Sequence, residues 1–203
     1  MKIGIRITAL LFLLIATVPA ASLWAQGSAG ASRHAEASVF GVGTGTYTGY
    51  DGGQNASITA GGDFGIPTVY GLVVSGELRG TYPFYHGHLN AYENFYGGVK
   101  VEKLFHRRYN VYGTALYGRA KITYNPPGRL NPQETILYQQ TNSGTYSGGI
   151  GCDYDFKPRF AFKAELQLQH YETPVTVTGT AIGKATSFGL VYRFGYGHHD
   201  FIE

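Results

Sequence analysis

The chain has one cysteine, few charges and, beyond its first 25 residues, no long apolar run. Each shortage excludes something. Cys152 alone cannot close an internal disulfide, so an exported chain of this kind must be stabilised by its own packing. Charged residues make up 14% of the chain, well below the roughly 25% usual in soluble domains. Net charge is +3, and two of its bases, Lys2 and Arg6, fall in the leading segment, which leaves no clustered basic face of the kind nucleic acid requires. After Ala25 no apolar run approaches the ~20 residues that a spanning helix needs. If such a chain enters a membrane, it must do so as a closed barrel, the other way to satisfy every backbone polar group there. No glycine-rich phosphate loop, nucleophile elbow or paired-cysteine motif is present either.

What the chain does have is 30 glycines, 17 tyrosines and 12 phenylalanines in 203 residues, a length that suits one domain. That composition fits a protein whose outside faces lipid. Residues 1–25 read as a signal peptide: Lys2 and Arg6 are basic, an apolar core runs from Ile7 to Val18, and small residues follow. Cleavage is expected after Ala20 or Ala25, with Ala25 preferred, and no nearby cysteine suggests a lipid anchor. Residues 26–34 read as a flexible leader, 35–196 as one β-barrel domain and 197–203 as a C-terminal tail.

From 35 to 196 the pattern has period two, with no helix-length periodicity, and divides into eight segments. The last sets Thr186, Phe188, Leu190, Tyr192 and Phe194 against Ser187, Gly189, Val191 and Arg193. The seventh sets Phe160, Phe162, Leu166 and Leu168 against Lys163, Glu165, Gln167 and Gln169. The third opposes Leu72, Val74, Leu78 and Tyr82 to Ser75, Glu77, Arg79 and Thr81, and the fourth opposes Phe95, Val99 and Val101 to Tyr96, Lys100 and Glu102. In the fifth, Tyr112, Leu116, Ala120, Ile122 and Tyr124 form the apolar face, against Tyr117, Arg119, Lys121 and Thr123. The second and sixth put Asp63, Asp153 and Asp155 opposite Ile58, Phe64, Ile150 and Cys152. The first, 35–46, is glycine-rich; its faces stay unassigned and it has room for a bulge. Short connections fall near Pro67, at 104–108 and at 157–158, and longer ones at 47–55, 83–91, 125–142 and 172–184. Short turns at one end and four long loops at the other match a transmembrane barrel whose short turns and chain ends face the periplasm.

The charges decide which face points where. Asp63, Glu77, Glu102, Asp153, Asp155 and Glu165 oppose Arg79, Lys100, Arg119, Lys121, Lys163 and Arg193, six acids and six bases on the polar faces. A soluble barrel would turn them to water, a membrane barrel would turn them inward. The aromatics favour the membrane. Tyr70, Tyr112, Tyr154, Phe156, Phe160, Phe194 and Tyr196 gather at the short-turn ends, and Tyr82, Phe95, Tyr124 and Tyr146 at the long-loop ends, with aliphatic residues between. Two girdles around an aliphatic band are what the two interfaces select. The twelve charges are then expected to fill the lumen as a structural ion-pair network.

With these features the chain resembles the outer-membrane β-barrel superfamily typified by the outer membrane protein A transmembrane domain. The segment Ser187-Phe188-Gly189-Leu190-Val191-Tyr192-Arg193-Phe194 is similar to that family's closing strand, and the resemblance spans residues 35–196. It implies an all-β, eight-stranded antiparallel transmembrane barrel in the outer membrane, in contact with its lipids and the barrel assembly machinery. Two departures stand out: residues 197–203 follow the last strand, and no peptidoglycan-binding domain is present in this sequence.

The expected role is structural or surface interaction, not an enzyme, in a monomer without cofactor or metal. Its rivals are a narrow passive pore and a lipid-modifying enzyme. His86 with His88, and His198, His199 and Asp200, fall in loop and tail without the further ligands a metal needs. The His-x-Ser pair of outer-membrane lipid A deacylases is missing from all seven histidines, and a place in the aromatic girdle accounts for His170. The long loops, with Tyr50, Tyr85 and Tyr138, offer a surface for an extracellular ligand, or else shield the barrel mouth.

Overall fold

The computed structural model describes residues 36–48, 53–67, 72–85, 90–105 and 108–194. The expected signal peptide, leader and tail lie outside them, as do Tyr50, Tyr70, His86, His88, Tyr196 and His198–Asp200. Ten strands follow one another: β1 (Glu36–Thr48), β2 (Gln54–Pro67), β3 (Leu72–Tyr85), β4 (Asn90–Phe105), β5 (Tyr109–Tyr124), β6 (Arg129–Leu130), β7 (Leu137–Tyr138), β8 (Gln140–Lys157), β9 (Phe160–Glu172) and β10 (Thr180–Arg193). Eight of them close into an antiparallel barrel in the order β1-β10-β9-β8-β5-β4-β3-β2, while β6 and β7 pair separately.

Closure fixes the geometry. Following paired residues round the barrel leads from Ser38 through Asp63, Glu77, Gly98, Leu116, Ser147, Gln169 and Gly183 back to β1 at Thr48, ten residues further on. That stagger tilts the strands and holds the interior of an eight-stranded barrel to the width of its own side chains. Alternate residues then point inward and outward, as the buried-and-exposed alternation in β3 and β9 shows. The outward faces carry an aliphatic band that includes Leu78, Val99, Ile150, Leu166 and Leu190. Exposed rings flank it: Tyr109, Phe156, Phe160, Phe162 and Phe194 towards the short turns, and Tyr47, Tyr82, Phe84, Phe95, Tyr117 and Tyr146 towards the loops.

The structure departs from the sequence expectations in three ways. First, β1 pairs with both neighbours in unbroken register, Phe40 and Val42 inward; the bulges lie instead at Ala56/Ser57 and Asp155/Lys157. Second, the strands run further towards the loops than expected, β3 to Tyr85 and β4 from Asn90, so of four expected long loops only 125–139 is long. Third, β5 is turned over. Tyr112, Leu116, Ala120, Ile122 and Tyr124 are buried inside, whereas Tyr117 and Arg119 are exposed and Lys121 is partly so. Tyr112 and Tyr124 therefore leave the girdles.

Candidate functional site

Of the twelve charged residues expected in the lumen, Asp63, Glu77, Arg79, Lys100, Glu102, Asp153, Asp155, Lys163, Glu165 and Arg193 point inward, and Arg119 and Lys121 do not. The correction has a physical cause. A cation high on a strand, near the loop-side interface, reaches water or lipid headgroups from the outer face and gains nothing from the lumen.

The inward groups form one lattice in the short-turn half of the barrel. Arg79 on β3 pairs with Glu77 beside it, and its Nη2 donates across the lumen to both carboxylate oxygens of Glu165 on β9, at 3.1 and 3.2 Å. Glu165 also accepts from Gln167 at 2.9 Å and from the Tyr112 hydroxyl at 3.2 Å. Lys100 on β4 lies 2.9 Å from Glu102, 3.5 Å from Asp63 and 3.7 Å from Asp153. Arg193 on β10 pairs with Asp155, which also accepts from Asn110 at 3.0 Å, and lies 3.5 Å from Asp153. Lys163 is fully buried, with Glu165 at 3.7 Å and Asp153 at 3.9 Å. Such burial is tolerable because each charge has opposite partners; one left alone would cost several kcal/mol.

Two rings complete the lattice. The Lys163 ammonium lies 4.1 Å from the ring centre of Tyr112 and 4.8 Å from that of Phe40, while Lys100 sits 4.7 Å from Tyr112 and Arg79 5.3 Å from Phe40. Sequence reasoning left Phe40 unassigned and put Tyr112 outside. The signal was in the glycines beside them. A Cβ on Gly61 would meet the Phe40 ring at 2.6 Å, and one on Gly151 would meet the Tyr112 ring at 2.3 Å. An inward ring in so narrow a barrel needs an inward glycine next to it.

The loop half of the lumen is different in kind. Tyr92, Ala120, Ile122, Tyr124, Tyr171 and Ala181 pack together with Val175, which comes from the 173–179 connection and folds back over the mouth. Their polar tips are satisfied inside: Tyr124 shares a hydrogen bond with Thr173 at 2.6 Å and Tyr96 with Thr145 at 3.0 Å, and Asn94 donates to Tyr171 at 3.3 Å. An apolar stopper thus sits above an ionic lattice. Beyond it, the pairing of Arg129 with Tyr138 makes the 125–139 connection a hairpin, and the Asn131 carboxamide oxygen accepts from the backbone N–H of Thr135 at 2.8 Å and of Ile136 at 3.0 Å. Leu130, Ile136 and Leu137 are exposed on it.

On the outer face, His170 stacks on Tyr146 with ring centres 4.4 Å apart. Its position among girdle rings matches the expectation for it. Among the described residues no group of three or more metal-ligating side chains occurs.

A closed antiparallel barrel with charges inside, aliphatic residues outside and a ring of aromatics at each end is a transmembrane β-barrel. The chain matches the family model described as outer membrane protein beta-barrel domain over residues 8–194, and it belongs to that family. Among solved structures, it is similar to Neisserial surface protein A (11% identity, 78% of this chain and 96% of that one, TM-score 0.49). It is also similar to Ail of Yersinia pestis in complex with a heparin analogue (14%, 79% and 99%, TM-score 0.48). A third is the N-terminal β-barrel domain of Pseudomonas aeruginosa OprF (18%, 79% and 100%, TM-score 0.42). No curated protein matches the chain at a significant level.

Proposed function

We propose that this outer-membrane protein is a surface-interaction protein: the barrel is a filled scaffold, and the working part is the hairpin of 125–139. The observation that carries this reading is the double closure of the lumen, apolar around Val175 and ionic around Arg79 and Glu165. With its interior filled, the barrel has little to offer a solute, and activity falls to what projects from it. The hairpin is ordered by Asn131 and presents Leu130, Ile136 and Leu137 to the outside, the form of a contact surface on a rigid support. Neither enzyme nor pore is needed to account for these features. The loops are assigned to the cell exterior and the short turns to the periplasm, with export by a signal peptide cleaved after Ala20 or Ala25.

The test replaces residues 129–138 by a short Gly-Ser turn. Cells carrying the wild type should aggregate and adhere to surfaces more than cells carrying the variant, with equal amounts of heat-modifiable barrel in both outer membranes. Equal adherence would overturn the reading, and so would porin-sized conductance from the purified wild type.

A further inference from the structure

The two cations that sequence reasoning placed inside the barrel open a second site on its outside. Arg119 is directly paired across the sheet with Phe95 on β4 and Gly144 on β8, and Lys121 with Glu93 and Asn142 in the next row towards the loops. Tyr117 precedes Arg119 on the same face and is paired with Tyr146. Arg119 therefore lies at the level of the loop-side aromatic girdle, where hydrocarbon gives way to headgroups. Lys121 has a carboxylate, Glu93, at 3.6 Å; among the described residues Arg119 has none within ion-pairing distance, and it is exposed.

The surface around it is hollow in two adjoining places. A groove of about 520 Å³ is lined by Gly80, Tyr82, Glu93, Phe95, Arg119 and Lys121. Turnward of it, a second groove of about 660 Å³ runs over Gly97, Ala115 and Gly148 between Tyr117, Tyr146 and Leu168. The upper groove offers a guanidinium, an ammonium, one carboxylate acceptor and two aromatic faces. The lower one is apolar, floored by small residues on a face otherwise studded with large ones. A polar socket above an apolar trough, at the depth of an interface, matches an amphiphile of one polarity profile.

We propose that this face binds a phosphorylated glycolipid of the leaflet on the loop side. A phosphate lies against Arg119 and Lys121, a sugar ring packs on Tyr82 and Phe95 and donates a hydroxyl or amide hydrogen to Glu93, and an acyl chain runs down the trough over Gly97, Ala115 and Gly148. Arg119 suits a phosphate because its planar fork makes paired charge-assisted hydrogen bonds. The carboxylate favours a sugar-bearing lipid, since Glu93, 3.6 Å from Lys121, can also accept from a sugar hydroxyl or amide. No residue of the hairpin assigned above lines either groove.

The experiment uses the full-length barrel, refolded in phosphatidylcholine nanodiscs, with purified diphosphoryl lipid A as probe and phosphatidylglycerol as comparison, read by native mass spectrometry. Lipid A should bind saturably and more tightly than phosphatidylglycerol. Arg119→Gln should weaken it about tenfold, the scale of one lost hydrogen bond to a charged group. Gly148→Leu, which fills the trough without altering charge, should weaken it too, whereas Lys184→Gln, an exposed cation outside both grooves, should not. Gel mobility with and without boiling confirms that each variant is folded. Equal binding by wild type and R119Q, no binding by either, or phosphatidylglycerol binding as tight as lipid A would each overturn the proposal. Loss of hairpin-dependent adherence with R119Q-sensitive lipid binding intact would separate this site from the surface role.

Discussion

Tyr112 and Lys163 meet inside the barrel, the ammonium 4.1 Å from the ring centre, although their strands β5 and β9 are separated by β8. The ring also carries a hydroxyl that donates to Glu165, so one side chain touches both signs of the lattice. Tyr112→Phe removes only the hydroxyl and leaves one lone pair of Glu165 unmet; the expected loss is about 1–3 kcal/mol. Tyr112→Leu also removes the ring facing Lys163 and Lys100 and should cost more than Phe. Urea unfolding of the protein in lipid vesicles checks the order, and Leu equal to Phe would show that the ring contributes nothing.

Arg79 holds two carboxylates, Glu77 and Glu165. Arg79→Met leaves Glu77 without its ion-pair partner and Glu165 with Lys163 alone, and should destabilise by about 3–5 kcal/mol. Adding Glu165→Gln and Glu77→Gln to it removes the stranded charges and should recover a large part of that loss. A triple variant no more stable than the single one would mean that the lattice is not what the arginine supports.

The outer face should tolerate charge according to depth. Leu166 is paired with Ile150 in the aliphatic band, and Leu166→Arg should cost about 2–4 kcal/mol. Tyr82 sits in the loop-side girdle, and Tyr82→Arg should cost roughly 0–1 kcal/mol. The same vesicle assay measures both. Comparable losses would contradict the placement of the band.

The lumen holds six acids (Asp63, Glu77, Glu102, Asp153, Asp155 and Glu165) against four bases (Arg79, Lys100, Lys163 and Arg193) among the described residues. Any leak through the purified protein in planar bilayers should be far below that of a porin and should prefer cations. Anion preference would mean that the two outward bases contribute to the lumen after all.

Orientation is open to labelling. Gly128 is a poor insertion point, since its φ is +115° and a Cβ there would meet the Tyr138 carbonyl oxygen at 2.7 Å. The exposed tip at Gln133 is better. An epitope there should be reached by antibody on intact cells, and a tag after Glu203 should not. Staining of the tag alone would invert the topology.

The barrel itself was legible in the alternation of β3, β4 and β9, where the charges in the middle of the strand share a face. β5 was misread because its charges, Arg119 and Lys121, lie near the rim, where either face can reach a polar medium. Its inner half held the better signal: Asn110, Tyr112 and Thr114 alternate with Val111, Gly113 and Ala115, which puts the polar groups inward. Depth in the membrane weights a residue's testimony about its face, and the middle of a strand speaks more reliably than its ends. The stopper was not legible, because Val175 belongs to a connection and nothing in its neighbours marks it as turning inward.

The contacts of Arg79 with Glu165 and of Lys100 with Asp153 join the first half of the chain to the second. A sheet that ends at β5 keeps Glu77 beside Arg79 and Asp63 and Glu102 beside Lys100, but lacks Glu165 and Asp153. Only the closed wall completes the lattice, and fragments split at the 125–139 connection should come together as a complementing pair.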